Sequence, residues 1–175
     1  MFVKSEVSAR SLNFSLDVEQ LRRSLTDLVN HITVHSKIRI LVHKAGKYEM
    51  THSPIDAPSL ETKYIQLSTQ KIDANNILLR HKTTERQVYN AEFAKASNNG
   101  CYDVLFMNVH DEITECSRHN IFIVKDGQWY TPPIDAGLLG GVKRAELIEE
   151  LADQCTVKSL KLDDILSADQ IFLTN

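Results

Sequence analysis

Residues 112–147 read EITECSRHNIFIVKDGQWYTPPIDAGLLGGVKRAEL, and the two halves follow different periods. In the left half, β-branched and aromatic residues run up to Asp126-Gly127, a dipeptide that favours a tight hairpin turn, and resume at Gln128. Residues 112–132 are therefore expected to form two strands joined at that turn. In the right half two prolines stop the second strand, the glycines of GLLGG mark a loop, and the spacing becomes helical from Val142. The helix is expected to bury Val142, Leu147, Ile148 and Leu151. Its start follows a loop whose backbone can approach a ligand closely, and helix starts carry unpaired amides.

On the N-terminal side, SLDVEQLRRSLTDLVNHI repeats apolar residues at Val18, Leu21, Leu25, Leu28, Val29 and Ile32, with Asp17 and Gln20 placed as a capping box. KIRILVH and YEMTHSPI flank AGK and predict a hairpin, KYIQLS predicts a further strand, and DVLFMNV a buried one. Between the last two, a helix is expected near residues 84–96, ended by SNNG. After the central stretch, TVKSLKL predicts a strand, DDILSAD a short helix and QIFLTN a last strand. Strands and helices mix without the regular alternation of a doubly wound sheet, so the fold class is α/β, or mixed α+β, around a mixed sheet.

The 175 residues are 42% hydrophobic, enough for one ordinary core. A formal charge of −3 gives no electrostatic footprint for nucleic acid, which leaves a small molecule as the expected ligand. Three cysteines with no C-x-x-C spacing argue against both a disulfide framework and a structural metal site. No apolar run approaches the length of a membrane span and the first residues lack a signal-peptide core, so a cytoplasmic protein is expected.

Three features bear on chemistry, and each has a plain structural alternative. The GLLGGVKR loop could hold a phosphate at the helix start, or could simply initiate a helix. Glu115 could serve a ligand or face outward from an alternating strand, and Asn120 could be a turn residue. Lys82 follows Arg80 and His81 ahead of the expected helix, where a macrodipole disfavours cations. It could be a solvated lysine or one tuned to meet a carbonyl. One ligand uses all three: pyridoxal 5'-phosphate has an aldehyde for a lysine, a ring nitrogen for a carboxylate and a phosphate for a helix start.

The segments HKTTERQVY, ITECSRHNIFIV, YTPPIDAGLLGGVKRAEL and ADQIFLTN resemble, in order and approximate spacing, the signature segments of the class IV (fold type IV) pyridoxal phosphate enzymes. That family holds branched-chain and D-amino-acid aminotransferases and 4-amino-4-deoxychorismate lyase, and the wording of HKTT.R..Y and TPP...GLL.GV.RAEL looks most like the lyase. The resemblance implies that Lys82 bonds the cofactor's aldehyde carbon, that Glu115 pairs with the ring nitrogen, and that Gly141, Val142 and Lys143 hold the phosphate. Thr174 would line the same pocket, and Arg86 and Asn120 would support it. It also implies a homodimer acting on an amino-acid-like substrate, beside the expectation from charge, hydropathy and cysteine spacing of no nucleic acid, membrane or metal.

SARSLNF, residues 8–14, resembles only the end of the family's N-terminal pattern H..RL..SA..LGF, whose arginine helps bind phosphate. Gly140 stands where a proline is common, and the chain stops where the family usually continues. Residues 1–35 are thus expected to be a remnant of the N-terminal domain with a helical linker, and residues 36–175 the cofactor-binding large domain. The expected activity is conversion of aminodeoxychorismate to 4-aminobenzoate and pyruvate. The alternatives are an aminotransferase for branched-chain or D-amino acids and an inactive remnant.

Overall fold

Asp126-Gly127 turns the chain as its composition dictates, with both residues at positive φ (51° and 77°). The hairpin lies in a computed structural model that describes residues 2–55 and 61–175. The chain divides between Glu61 and Thr62 into two units.

The first unit contains helices α1 (Phe2–Ser11) and α2 (Val18–Asn30) and the antiparallel pair β1 (Ser36–Val42) and β2 (Tyr48–Pro54). Asp17 caps α2 by accepting from the Gln20 amide at 2.8 Å. Of the six apolar positions expected to face inward from this helix, only Leu21 is fully buried, and Val29 is exposed.

The second unit holds the remaining elements in two mixed sheets. One has the order β3 (Ile65–Ile72), β4 (Asp103–Asn108), β5 (Ile113–Cys116), with β3–β4 parallel and β4–β5 antiparallel. The other has the order β8 (Cys155–Val157), β7 (Gln128–Thr131), β6 (Asn120–Lys125), β9 (Gln170–Thr174), in which only β7–β8 is parallel. Helices α3 (Gln87–Asn98), α4 (Val142–Leu151) and α5 (Leu162–Leu166) complete it. Leu105, Ile113, Cys116, Ile121, Ile123, Leu160 and Ile165 make one core cluster, and Ile72, Tyr89, Ala96, Val104 and Phe106 a second. The buried Glu92 of α3 accepts from Ser68 Oγ of β3 at 3.0 Å and from Lys95 at 2.5 Å, so the helix is tied to its sheet by a satisfied charge.

Three expectations need correction. Residues 112–132 form three strands, because the chain breaks between β5 and β6 at residues 117–119. There the buried Asp103 carboxylate gathers the Ser117 amide (3.1 Å), the Ser117 hydroxyl (2.5 Å) and His119 Nδ1 (2.6 Å). The α3 helix begins at Gln87 rather than near residue 84, since Thr83 Oγ1 takes the Glu85 amide in a local turn. Arg80 and Lys82 therefore do not sit at a helix start, and no macrodipole opposes them. On α4, Val142, Leu147, Ile148 and Leu151 are only half-buried. The buried residue is Arg144, whose Nη2 donates to the Pro132 carbonyl at 2.7 Å.

Candidate active site

Glu115 leaves β5 at its third position and is buried, 8% exposed, so the outward-facing alternative fails. Burial disfavours its charge and pushes its pKa up to about 8. Four weaker influences act the other way, in decreasing order: a hydrogen bond from the Leu139 backbone, the charge of Arg86, the hydroxyl of Tyr89 and the charge of Lys82. The carboxyl group is thus a neutral acid at neutral pH in the free chain, with cations close enough to draw it toward ionisation.

Asn120 opens β6, five residues on. Its Nδ2 donates to Glu115 Oε2 at 3.1 Å and to the Leu139 carbonyl at 2.8 Å, and its Oδ1 accepts the Gly141 amide at 3.1 Å. One side chain therefore joins the carboxyl group to both ends of the loop before α4. Gly141 must be glycine for this to hold, because a Cβ there would lie 2.3 Å from Asn120 Oδ1. The turn residue considered for Asn120 is instead a strand residue paired with Thr174 of β9.

The sequence-predicted residues do not all converge. Glu115 and Arg86 line a cleft with Leu79, His81, Thr83, Tyr89 and Leu139. Arg86 occupies the position just before α3 without capping it through its side chain, which donates to the Ser117 carbonyl and lies 5.0 Å from the centre of the Tyr89 ring. Lys82 is exposed between two residues that line the cleft. The amides of Val142 and Lys143 lie in the first turn of α4, where N–H groups have no intrahelical acceptor, whereas the Gly141 amide is held by Asn120. The Lys143 ammonium is paired with Glu146 (3.3 Å) and Glu150 (3.6 Å), which raise its pKa.

Tyr89, Leu139 and Arg144 fall within the signature segments HKTT.R..Y and GLL.GV.RAEL, but the sequence reading assigned them no role. Tyr89 looks like an ordinary helix core residue, yet its hydroxyl donates to Glu115 Oε1 at 3.4 Å. Leu139 acts through its backbone, which carries no side-chain signal.

The donor set fits pyridoxal phosphate. Beyond the buried carboxyl group and the helix-start amides, two buried side-chain polar atoms among the described residues lack a hydrogen-bond partner: Thr174 Oγ1, beside Asn120 in the β6–β9 register, and Arg144 Nε, in the first turn of α4. Unpaired buried donors are costly and rare, and a phosphate would satisfy such groups. The cleft before Glu115 measures about 20 Å³, room for a single water, so a ring must displace its lining side chains to enter.

The chain is 26% identical to a Thermotoga maritima protein assigned as a branched-chain-amino-acid aminotransferase, over 94% of this chain and 62% of that protein. It is 28% identical to a Schizosaccharomyces pombe protein assigned as an aminodeoxychorismate lyase, over 98% of this chain and 76% of that one. A crystal structure from Mesorhizobium loti, assigned as an amino-acid aminotransferase, superimposes with a TM-score of 0.91 at 29% identity, covering 99% of this chain and 84% of that one. The chain thus spans less than two thirds of the Thermotoga relative's length. The family model for amino-transferase class IV matches residues 6–175, and the chain belongs to that pyridoxal phosphate-dependent family.

Proposed function

We propose that the chain is the cofactor-holding part of a lyase that converts 4-amino-4-deoxychorismate to 4-aminobenzoate and pyruvate. The observation that carries a pyridoxal phosphate site is the buried Glu115, joined through Asn120 to the loop that starts α4. The lyase reading is supported by the HKTT.R..Y and TPP...GLL.GV.RAEL wording and by the yeast relative, which is matched over 98% of this chain. Residues 36–175 would form the cofactor-binding domain, and a cytoplasmic homodimer is part of the same proposal.

Pyridoxal phosphate, when bound, supplies an aldehyde that captures amines and a ring that accepts electron density from the substrate's α carbon. Lys82 Nζ would be the amine that holds that aldehyde, and as a free amine it would be the base that takes the substrate's α proton. Glu115 would hold a proton at the ring nitrogen, and Arg86 and Lys82 would help its carboxyl group carry negative charge there. The amides of Val142 and Lys143, with Arg144 Nε and Thr174 Oγ1, bind and orient the phosphate. Asn120 keeps carboxyl group and loop in register.

A second reading, an aminotransferase for branched-chain or D-amino acids, uses the same residues and is favoured by the Thermotoga relative. Product analysis separates the two. Pyruvate and 4-aminobenzoate formed without an added keto acid support the lyase; turnover that requires a keto acid supports the transferase.

A further inference from the structure

We propose that Tyr89 is a positioning residue for Glu115, acting with Asn120 as the second side of a holder that grips one carboxyl oxygen each. Asn120 Nδ2 meets Oε2 at 3.1 Å from β6, and the Tyr89 hydroxyl meets Oε1 at 3.4 Å from the first turn of α3. The two side-chain donors come from different elements and take one oxygen each, beside a hydrogen bond from the Leu139 backbone, so each holds its own side of the carboxyl group.

Tyr89 is itself immobilised. It is 5% exposed, its ring lies 4.6 Å from that of Phe106 in β4, and the Arg86 guanidinium covers it at 5.0 Å. Burial first, and then the neighbouring Glu115 charge, push its hydroxyl well above the usual phenol range, so it stays a donor at every working pH. The groups bearing on Glu115 are Arg86 and Lys82 ahead of α3, the Leu139 backbone before α4, and Arg144 within α4. Beside these, Tyr89 and Asn120 donate through their side chains directly to the carboxyl oxygens. The spacing also has a consequence for the site: Tyr89 lies seven residues after Lys82, so the segment bearing the lysine is indexed to the carboxyl group through the first turn of α3.

This inference rests on the cofactor reading for its importance but not for its test, which uses the free chain. Glu115 is titrated by carboxyl ¹³C resonances in the wild type, in Tyr89→Phe and in Asn120→Ala, with thermal unfolding as a check on folding. Tyr89→Phe removes one oxygen and keeps the packing, so unfolding is expected to move little while the Glu115 midpoint rises by about one unit, a factor of ten in its proton equilibrium. Asn120→Ala is expected to raise it as well. A midpoint in folded Tyr89→Phe within about 0.2 units of wild type overturns the proposal. Pyridoxal phosphate binding, followed separately by absorbance, is expected to weaken several-fold in Tyr89→Phe. A wild-type chain that binds no cofactor would count against the proposed function and leave the titration result standing.

Discussion

Asn120 hydrogen-bonds Glu115 and the amide of Gly141 at once, at 3.1 Å in each case. The two ends of the proposed cofactor site thereby share one amide group. A methyl group at position 141 would lie 2.3 Å from Asn120 Oδ1 and drive that side chain away from both partners. Gly141→Ala is expected to lower pyridoxal phosphate affinity by about ten-fold or more, equivalent to roughly 1.4 kcal/mol, read by absorbance titration. Affinity equal to wild type would separate the loop from the carboxyl group.

Burial of Glu115 has a sign that unfolding can read. With a folded pKa of about 8 against an ordinary 4.5, the native free chain holds a proton between these values that the unfolded chain has lost. Stability conferred by the neutral form is therefore present at low pH and lost as pH rises from about 4.5 through 8. Glu115→Gln cannot ionise and is expected to flatten this slope, and to be more stable than wild type at pH 9 by about 2 kcal/mol or more. Urea unfolding across that range, without cofactor, checks it; parallel slopes would contradict the assignment of the titration to Glu115.

The Asp103 carboxylate works in the opposite direction. Burial tends to raise its pKa, but the hydrogen bonds of His119, Ser117 and Val104 outweigh that and hold it below the ordinary 3.8. Its stabilisation is present above that value and lost as pH falls through the folded pKa. Asp103→Asn is expected to destabilise the chain at pH 7 by about 1–3 kcal/mol, since an amide nitrogen cannot accept the bonds made by the second oxygen. The difference from wild type should shrink in acid, as urea unfolding at several pH values would report.

Gly137 closes the turn after residues 134–136 at φ 100°, and a Cβ there would sit 2.8 Å from Ala74 Cα. Gly137→Ala combines backbone strain with a collision against main chain, and is expected to cost about 2 kcal/mol or more in thermal unfolding. An unchanged melting temperature would mean that this turn relaxes freely.

The central hairpin and the glycine loop were legible because their signals are local: Asp126-Gly127 carries its own turn preference, and the prolines and glycines their own breaks. The β5–β6 break was not, because its cause is Asp103, fourteen residues before Ser117. Glu115, Asn120 and Gly141 could be named as candidates from the resemblance of their segments to the class IV family, yet nothing in the sequence stated that Asn120 joins the other two. Tyr89 and Arg144 stand in the quoted signature segments, yet their roles stayed hidden, because a tyrosine on the apolar side of a helix reads as packing and a charged residue in a helix reads as solvated. Both depend on which groups the tertiary fold brings against them.

The central claim is that Lys82 is the residue that bonds pyridoxal phosphate. It is tested most directly by incubating the purified chain with pyridoxal phosphate, reducing with borohydride and mapping the modified peptide by mass spectrometry. The account predicts modification concentrated at Lys82 and lost in Lys82→Ala. No modification, or modification scattered over other lysines, would contradict it.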